Sequence, residues 1–138
     1  MRNRALIVSL AVAACGVLVA CQWGNEAEFG QQIKGKQVTV QLRIIKAGDW
    51  EIPSVNVWNK TDQPISVHPI KLQAWYKSGG REESATEEGN KLLPPQSAYI
   101  FAGRWPSRQG ECLERVRVEV STAGGGEAFT FDRGEACP

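Results

Sequence analysis

The stretch Cys112-Leu-Glu-Arg-Val-Arg-Val-Glu-Val-Ser-Thr-Ala-Gly-Gly-Gly-Glu-Ala-Phe-Thr-Phe-Asp-Arg-Gly-Glu-Ala-Cys137 reads as a β-hairpin closed by its own cystine. Val116, Val118 and Val120 recur at period two, as do Phe129 and Phe131, so each set lies on one face of a strand. Ala123-Gly-Gly-Gly126 supplies the turn, where glycine accepts positive φ. With Cys112 opposite Cys137, Val120 faces Phe129, Val118 faces Phe131 and Arg117 faces Asp132. The irregular Gly134 and Glu135 allow that count to slip. A closed loop of ~26 residues stabilises the fold by roughly 3 kcal/mol in the chain-entropy account.

The same period runs upstream. Val38, Val40, Leu42 and Ile44 alternate with Thr39, Gln41 and Arg43, a half-buried strand. Ala47-Gly48-Asp49 turns the chain into a second strand, Ile52 to Trp58, with Val55 and Val57 on one face. Asn59 to Pro64 is a turn by composition. A third, longer strand spans Ile65 to Tyr76. Its apolar phase changes from Ile65 and Val67 to Ile70, Leu72 and Ala74, and His68-Pro69 sits at the change. Proline cannot donate to a ladder, so a bulge or a switch of sheet is expected there. Ser78 to Asn90 is Gly- and Glu-rich and predicts a mobile loop. Ser97 to Ala102 is a short strand, and Gly103 to Gly110 another loop. No segment after residue 21 has the pattern of an amphipathic helix. These features predict an all-β, immunoglobulin-like antiparallel sandwich of six to seven strands over residues 37–138. The run from Val55 to Phe101, through Leu72-Gln-Ala-Trp-Tyr76 and Leu93-Pro-Pro, resembles small immunoglobulin-like domains of exported bacterial proteins named for a Phe-x-Leu-Tyr-Asp signature. Leu72, Ala74, Trp75 and Tyr76 occupy that strand here, so the signature is not met literally. The resemblance implies a non-catalytic domain.

The amino-terminal segment is of another kind. Met1-Arg-Asn-Arg4 is basic, and residues 5–20 are uncharged and largely apolar. That run of ~16 residues falls short of the ~20 a bilayer span needs, and it has the form of a cleaved secretory signal. Leu18-Val19-Ala20-Cys21 resembles the lipobox of bacterial lipoproteins. The resemblance implies cleavage before Cys21 and acylation of that cysteine, with two or more chains needed for stable anchoring. Val12-Ala13-Ala14-Cys15 is a competing box with a shorter apolar core and no leucine at its first position. Gln22, in place of the Asp of an inner-membrane retention signal, points by the same analogy to the outer membrane, with the domain facing the periplasm. Residues 21–36 are expected to be the lipidated cysteine and a flexible tether, in which Trp23 could sit at the membrane interface. Removing Cys15 and lipidating Cys21 leaves Cys112 and Cys137 as an even pair in an oxidising compartment.

Composition narrows the function. The 138 residues fit one domain. With 16 Lys and Arg against 15 Asp and Glu, the net charge of +1 becomes −1 once Arg2 and Arg4 leave, which argues against nucleic acid as a partner. One histidine, His68, lacks the partners of a metal site or the orienting group of a general base. Ser66 shares its face but completes no triad. Glu82-Glu83 and Glu87-Glu88 fit no calcium loop, and Gly124 to Gly126 lacks the Lys-Ser/Thr of a phosphate cradle. Asn59-Lys60-Thr61 matches a glycosylation pattern of little weight in a bacterial lipoprotein. Trp58 or Trp75 could be the core tryptophan of a sandwich. Arg104, Trp105 and Arg108 form the candidate partner-binding set, because Arg and Trp are enriched at interface hot spots. No catalytic set, metal site or cofactor is indicated. The expected function is a non-catalytic envelope lipoprotein binding another envelope or secreted protein through a sheet edge or the 103–110 loop. A periplasmic inhibitor or immunity lipoprotein against a hydrolase or toxin is the alternative, and an enzyme acting on envelope polymers a third class.

Overall fold

The computed structural model describes residues 29–85, 91–122 and 124–138. The alternating runs become two antiparallel sheets. In the first, β1 (Gln32–Lys34), β2 (Val38–Ala47), β3 (Trp50–Asn59) and β7 (Ala98–Ala102) lie in that order, and β8 (Trp105–Pro106) extends the β7 side of β3. In the second, β10 (Gly125–Asp132), β9 (Leu113–Thr122), β4 (Ile65–Tyr76) and β5 (Arg81–Ala85) follow one another, and β6 (Leu92–Leu93) pairs the start of β4. The order β2-β3-β7 against β10-β9-β4 is that of an immunoglobulin-like sandwich, as the sequence predicts.

The core is what the period dictates. Val38, Val40, Leu42 and Ile44 of β2 and Val55 and Val57 of β3 meet Ile70, Leu72 and Ala74 of β4 and Val116, Val118 and Val120 of β9. Alternate positions on each strand point the other way. On β4 the inward phase shifts where expected. Val67 pairs Thr122 and Ile70 pairs Val120, so two residues of β4, His68 and the cis-linked Pro69, oppose one of β9. A single extra residue turns the alternation over and keeps both halves of the strand facing inward.

The final hairpin forms, but with a different register. Val118 pairs Phe129, Val116 pairs Phe131 and Arg115 pairs Asp132. The opposition anchored on the cystine is therefore off by two residues. A slip of two preserves every face, whereas a slip of one would have exposed Phe129 and Phe131. The disulfide does link Cys112 and Cys137, with Cα atoms 5.9 Å apart. The slip is absorbed between Asp132 and Cys137, where β10 has ended. Thr122 pairs Gly125, whose φ of 117° only glycine accepts readily; Ala123 lies outside the described residues.

Two segments expected to be irregular belong to the sandwich. Within the expected tether, Phe29 is fully buried and β1 pairs β2, so the folded unit starts before residue 37. Glu127 accepts from the backbone N–H groups of Lys36 and Gln37, tying this entry to the opposite sheet. Within the expected 78–90 loop, Arg81 to Ala85 pairs Trp75 to Lys71 as β5. Residues 86–90, with Glu87 and Glu88, lie outside the described residues, as do Cys15, Cys21, Trp23 and the whole segment expected to be a secretory signal.

Candidate functional site

Arg104, Trp105 and Arg108 do not form one exposed patch. Trp105 is 1% exposed and is the largest fully buried side chain among the described residues. Its backbone pairs Glu51 as β8, which turns the indole into the core. The core tryptophan is thus neither Trp58 nor Trp75. Trp58 is exposed on the outside of β3 and Trp75 is half-buried on the outside of β4. Arg104 remains at the surface, with its guanidinium 4.5 Å from the ring centre of Trp50.

Arg108 is committed to a structural clamp at one end of the sandwich. Its guanidinium pairs with Glu82 at 2.9 Å and Glu111 at 3.4 Å, donates to the Arg81 carbonyl, and lies 5.3 Å from the Tyr76 ring centre. The hydrogen bond to Glu82 raises its pKa above the ordinary arginine value. Beneath it, the Tyr76 hydroxyl donates to the buried Glu51 carboxylate at 2.7 Å, joining β4 to β3. Burial raises the Tyr76 pKa well above that of a free phenol, and the hydrogen bond to Glu51 and its negative charge add to the rise. The Trp105 indole N–H opposes it slightly without completing a hydrogen bond of good geometry. This Glu51–Tyr76 pair was invisible as a pair in the sequence. A Glu at an inward position of β3 was the available signal.

The remaining candidates are structural. His68 is partly buried at the β4 bulge. Among the described residues no group of three His, Cys, Asp or Glu side chains is placed to hold a metal, and no helix is long and apolar enough to cross a membrane. Asn59 is fully buried. Its amide nitrogen lies 2.9–3.1 Å from the carbonyls of Gln63, Leu93 and Pro94, and its oxygen accepts from Thr61. The glycosylation pattern therefore marks a turn hub.

Among the described residues, the outer face of the first sheet and its β7 edge carry the most exposed apolar surface. Outward positions on β2 are Thr39, Gln41, Arg43 and Ile45; on β3 they are Trp50, Ile52, Ser54, Asn56 and Trp58; on β7 they are Ala98, Ile100 and Ala102. Trp50 is 40% exposed, Trp58 41%, Ile45 41% and Ile100 64%. No carboxylate lies among these positions. A hollow of about 310 Å³ on this face is lined by Gln32, Lys34, Thr39, Gln41, Asn56 and Trp58. At the rim, β7 is the last strand of its path, hydrogen-bonded to β3 on one side. Its sequence, Ala-Tyr-Ile-Phe-Ala, carries no charge and no proline, the usual devices that blunt an edge.

No family model and no curated protein matches the chain. Among solved structures it is similar to a Bordetella pertussis protein carrying the name ApaA, with 13% identity, 70% of this chain and 87% of that chain covered, and a TM-score of 0.49. It is also similar to the structural-genomics target SoR45, with 13% identity, 69% and 80% covered, and a TM-score of 0.42.

Proposed function

We propose that this chain is a non-catalytic, lipid-anchored module of a bacterial envelope that binds another envelope or secreted protein by strand addition along β7. Cys21 carries the anchor and the domain faces the periplasm from the outer membrane. The observation that supports the binding mode is the edge itself: five uncharged residues, half-exposed, with a ladder on one side. Such an edge offers a row of backbone groups to an extended segment, with alternate side chains setting specificity. The Cys112–Cys137 bond fits an oxidising compartment. The 103–110 loop contributes little to this reading, because Trp105 lies in the core and Arg108 in a clamp.

The test is a photoreactive side chain at position 98 or 102 of the full chain in its bacterial host. It should capture one discrete protein, while the same probe at the exposed Lys71 of the other sheet should not. Ile100→Lys, an exposed change between the two probe positions, should abolish the capture and leave the fold intact. Equal labelling at all three probe positions, or capture that survives the lysine, would refute strand addition.

A further inference from the structure

We infer that the outer face of the first sheet rests on the bilayer that holds the anchor, with an anionic lipid headgroup in the hollow between β1, β2 and β3. The inference depends on the proposed acylation of Cys21 and adds to it an orientation.

Three observations carry it. The first is composition. Trp50 and Trp58 stand eight residues apart on β3, about 26 Å at ~3.3 Å per residue, with Ile45 and Ile52 between them and one strand over. Tryptophan is the side chain that favours the water–membrane boundary, its indole being apolar with one polar edge. The second is charge. Among the described residues the face presents Lys34 and Arg104 and no carboxylate, which suits an anionic surface. The hollow repeats this on a smaller scale. Lys34, the Thr39 hydroxyl and the amide of Gln41 line it. A cation with hydroxyl and amide donors is the set that holds a phosphodiester, and Trp58 forms an apolar wall beside it. The third is reach. Eight residue steps lead from Cys21 to buried Phe29, at most about 28 Å of chain at ~3.5 Å each. The chain then enters at β1, the edge of this same sheet. The anchor therefore holds this face within a short distance of the headgroups.

The experiment uses the full chain, purified from its host membrane and returned to phosphatidylglycerol-containing vesicles whose acyl chains are brominated. Trp23→Phe removes the tether tryptophan. Bromine should then quench the remaining emission, and Trp50→Phe with Trp58→Phe should remove most of the quenching. Ile45→Glu, an exposed change that spares the core, should lower it by about half, and Lys34→Gln should weaken the preference for anionic over phosphatidylcholine vesicles. Intact mass in the same preparation reports the anchor. Acylated protein with unquenched Trp50 and Trp58 overturns this inference and leaves the anchor standing. Unacylated protein overturns the anchor and the inference with it. Cross-linking of a probe at position 50 to a protein, in place of quenching, overturns the lipid occupant.

Discussion

On β3, at the middle of the first sheet, the outward side chains are Trp50, Ile52, Ser54, Asn56 and Trp58; on β4, in the interior of the second, they include Lys71, Gln73 and Trp75. The neighbours sharpen the contrast. Beside β4, β9 presents Arg115, Arg117 and Glu119, with Arg115 paired to Asp132 at 2.7 Å and Arg117 to Glu119 at 2.9 Å. Among the described outward positions on the strands beside β3 there is no carboxylate. Both faces come from the same alternation, and the inward half of each builds one core. The core therefore sets no requirement on what points outward. A solvated face is satisfied by charges, as on the second sheet. An apolar face exposed at four large side chains needs a different reason, and contact with another apolar surface is the physical one.

The strongest way to break the contrast is to show that the exposed tryptophans hold the fold. Trp105→Ala should cost about 3–5 kcal/mol, since it empties the largest buried side chain. Trp58→Ala should cost about 1 kcal/mol or less, as a change outside the core. Chemical denaturation measures both, and similar losses would make the apolar face structural. A middle-sized effect tests the seam between the sheets. Tyr76→Phe leaves the buried Glu51 without its donor and should cost about 1–3 kcal/mol. The folded state holds the Tyr76 proton more tightly than the unfolded chain does. Its contribution is therefore complete below the unfolded phenol value near pH 10 and is lost as pH rises above it. Stability followed into alkali should fall there in the parent and less steeply in Tyr76→Phe. The smallest effect belongs to the charged face. Arg117→Ala should change stability by about 0.2–1 kcal/mol, with the difference fading in high salt, as exposed pairs do. A loss insensitive to salt would mean that face does more than meet water.

Much of this architecture could be read from period and punctuation. The core positions of β2, β3, β4 and β9, the bulge at His68-Pro69 and the cystine all follow from alternation, proline chemistry and cysteine parity. The hairpin register did not, because a two-residue shift changes no face and so leaves no trace in the pattern. β1 and β5 were hidden for a related reason. Both are short and polar, and β5 is a run of Arg, Glu and Ser whose strand conformation is imposed by pairing with β4. Trp105 misled because a loop composition of Gly, Pro and Arg surrounds it, while burial depends on where β8 meets β3. The apolar face was legible only in part. Its residues were visible one by one, but which of them share a surface is a fact of strand order.

The cystine joins residues on either side of β9 and β10 without clamping their register. Its consequence is mechanical. If the chain were drawn from its two ends, the 25 residue steps between Cys112 and Cys137 could not pay out, so about 88 Å of contour, at ~3.5 Å per step, would stay withheld. Only about the first four-fifths of the polypeptide could extend under load, and the last hairpin would travel as an intact knot at the trailing end.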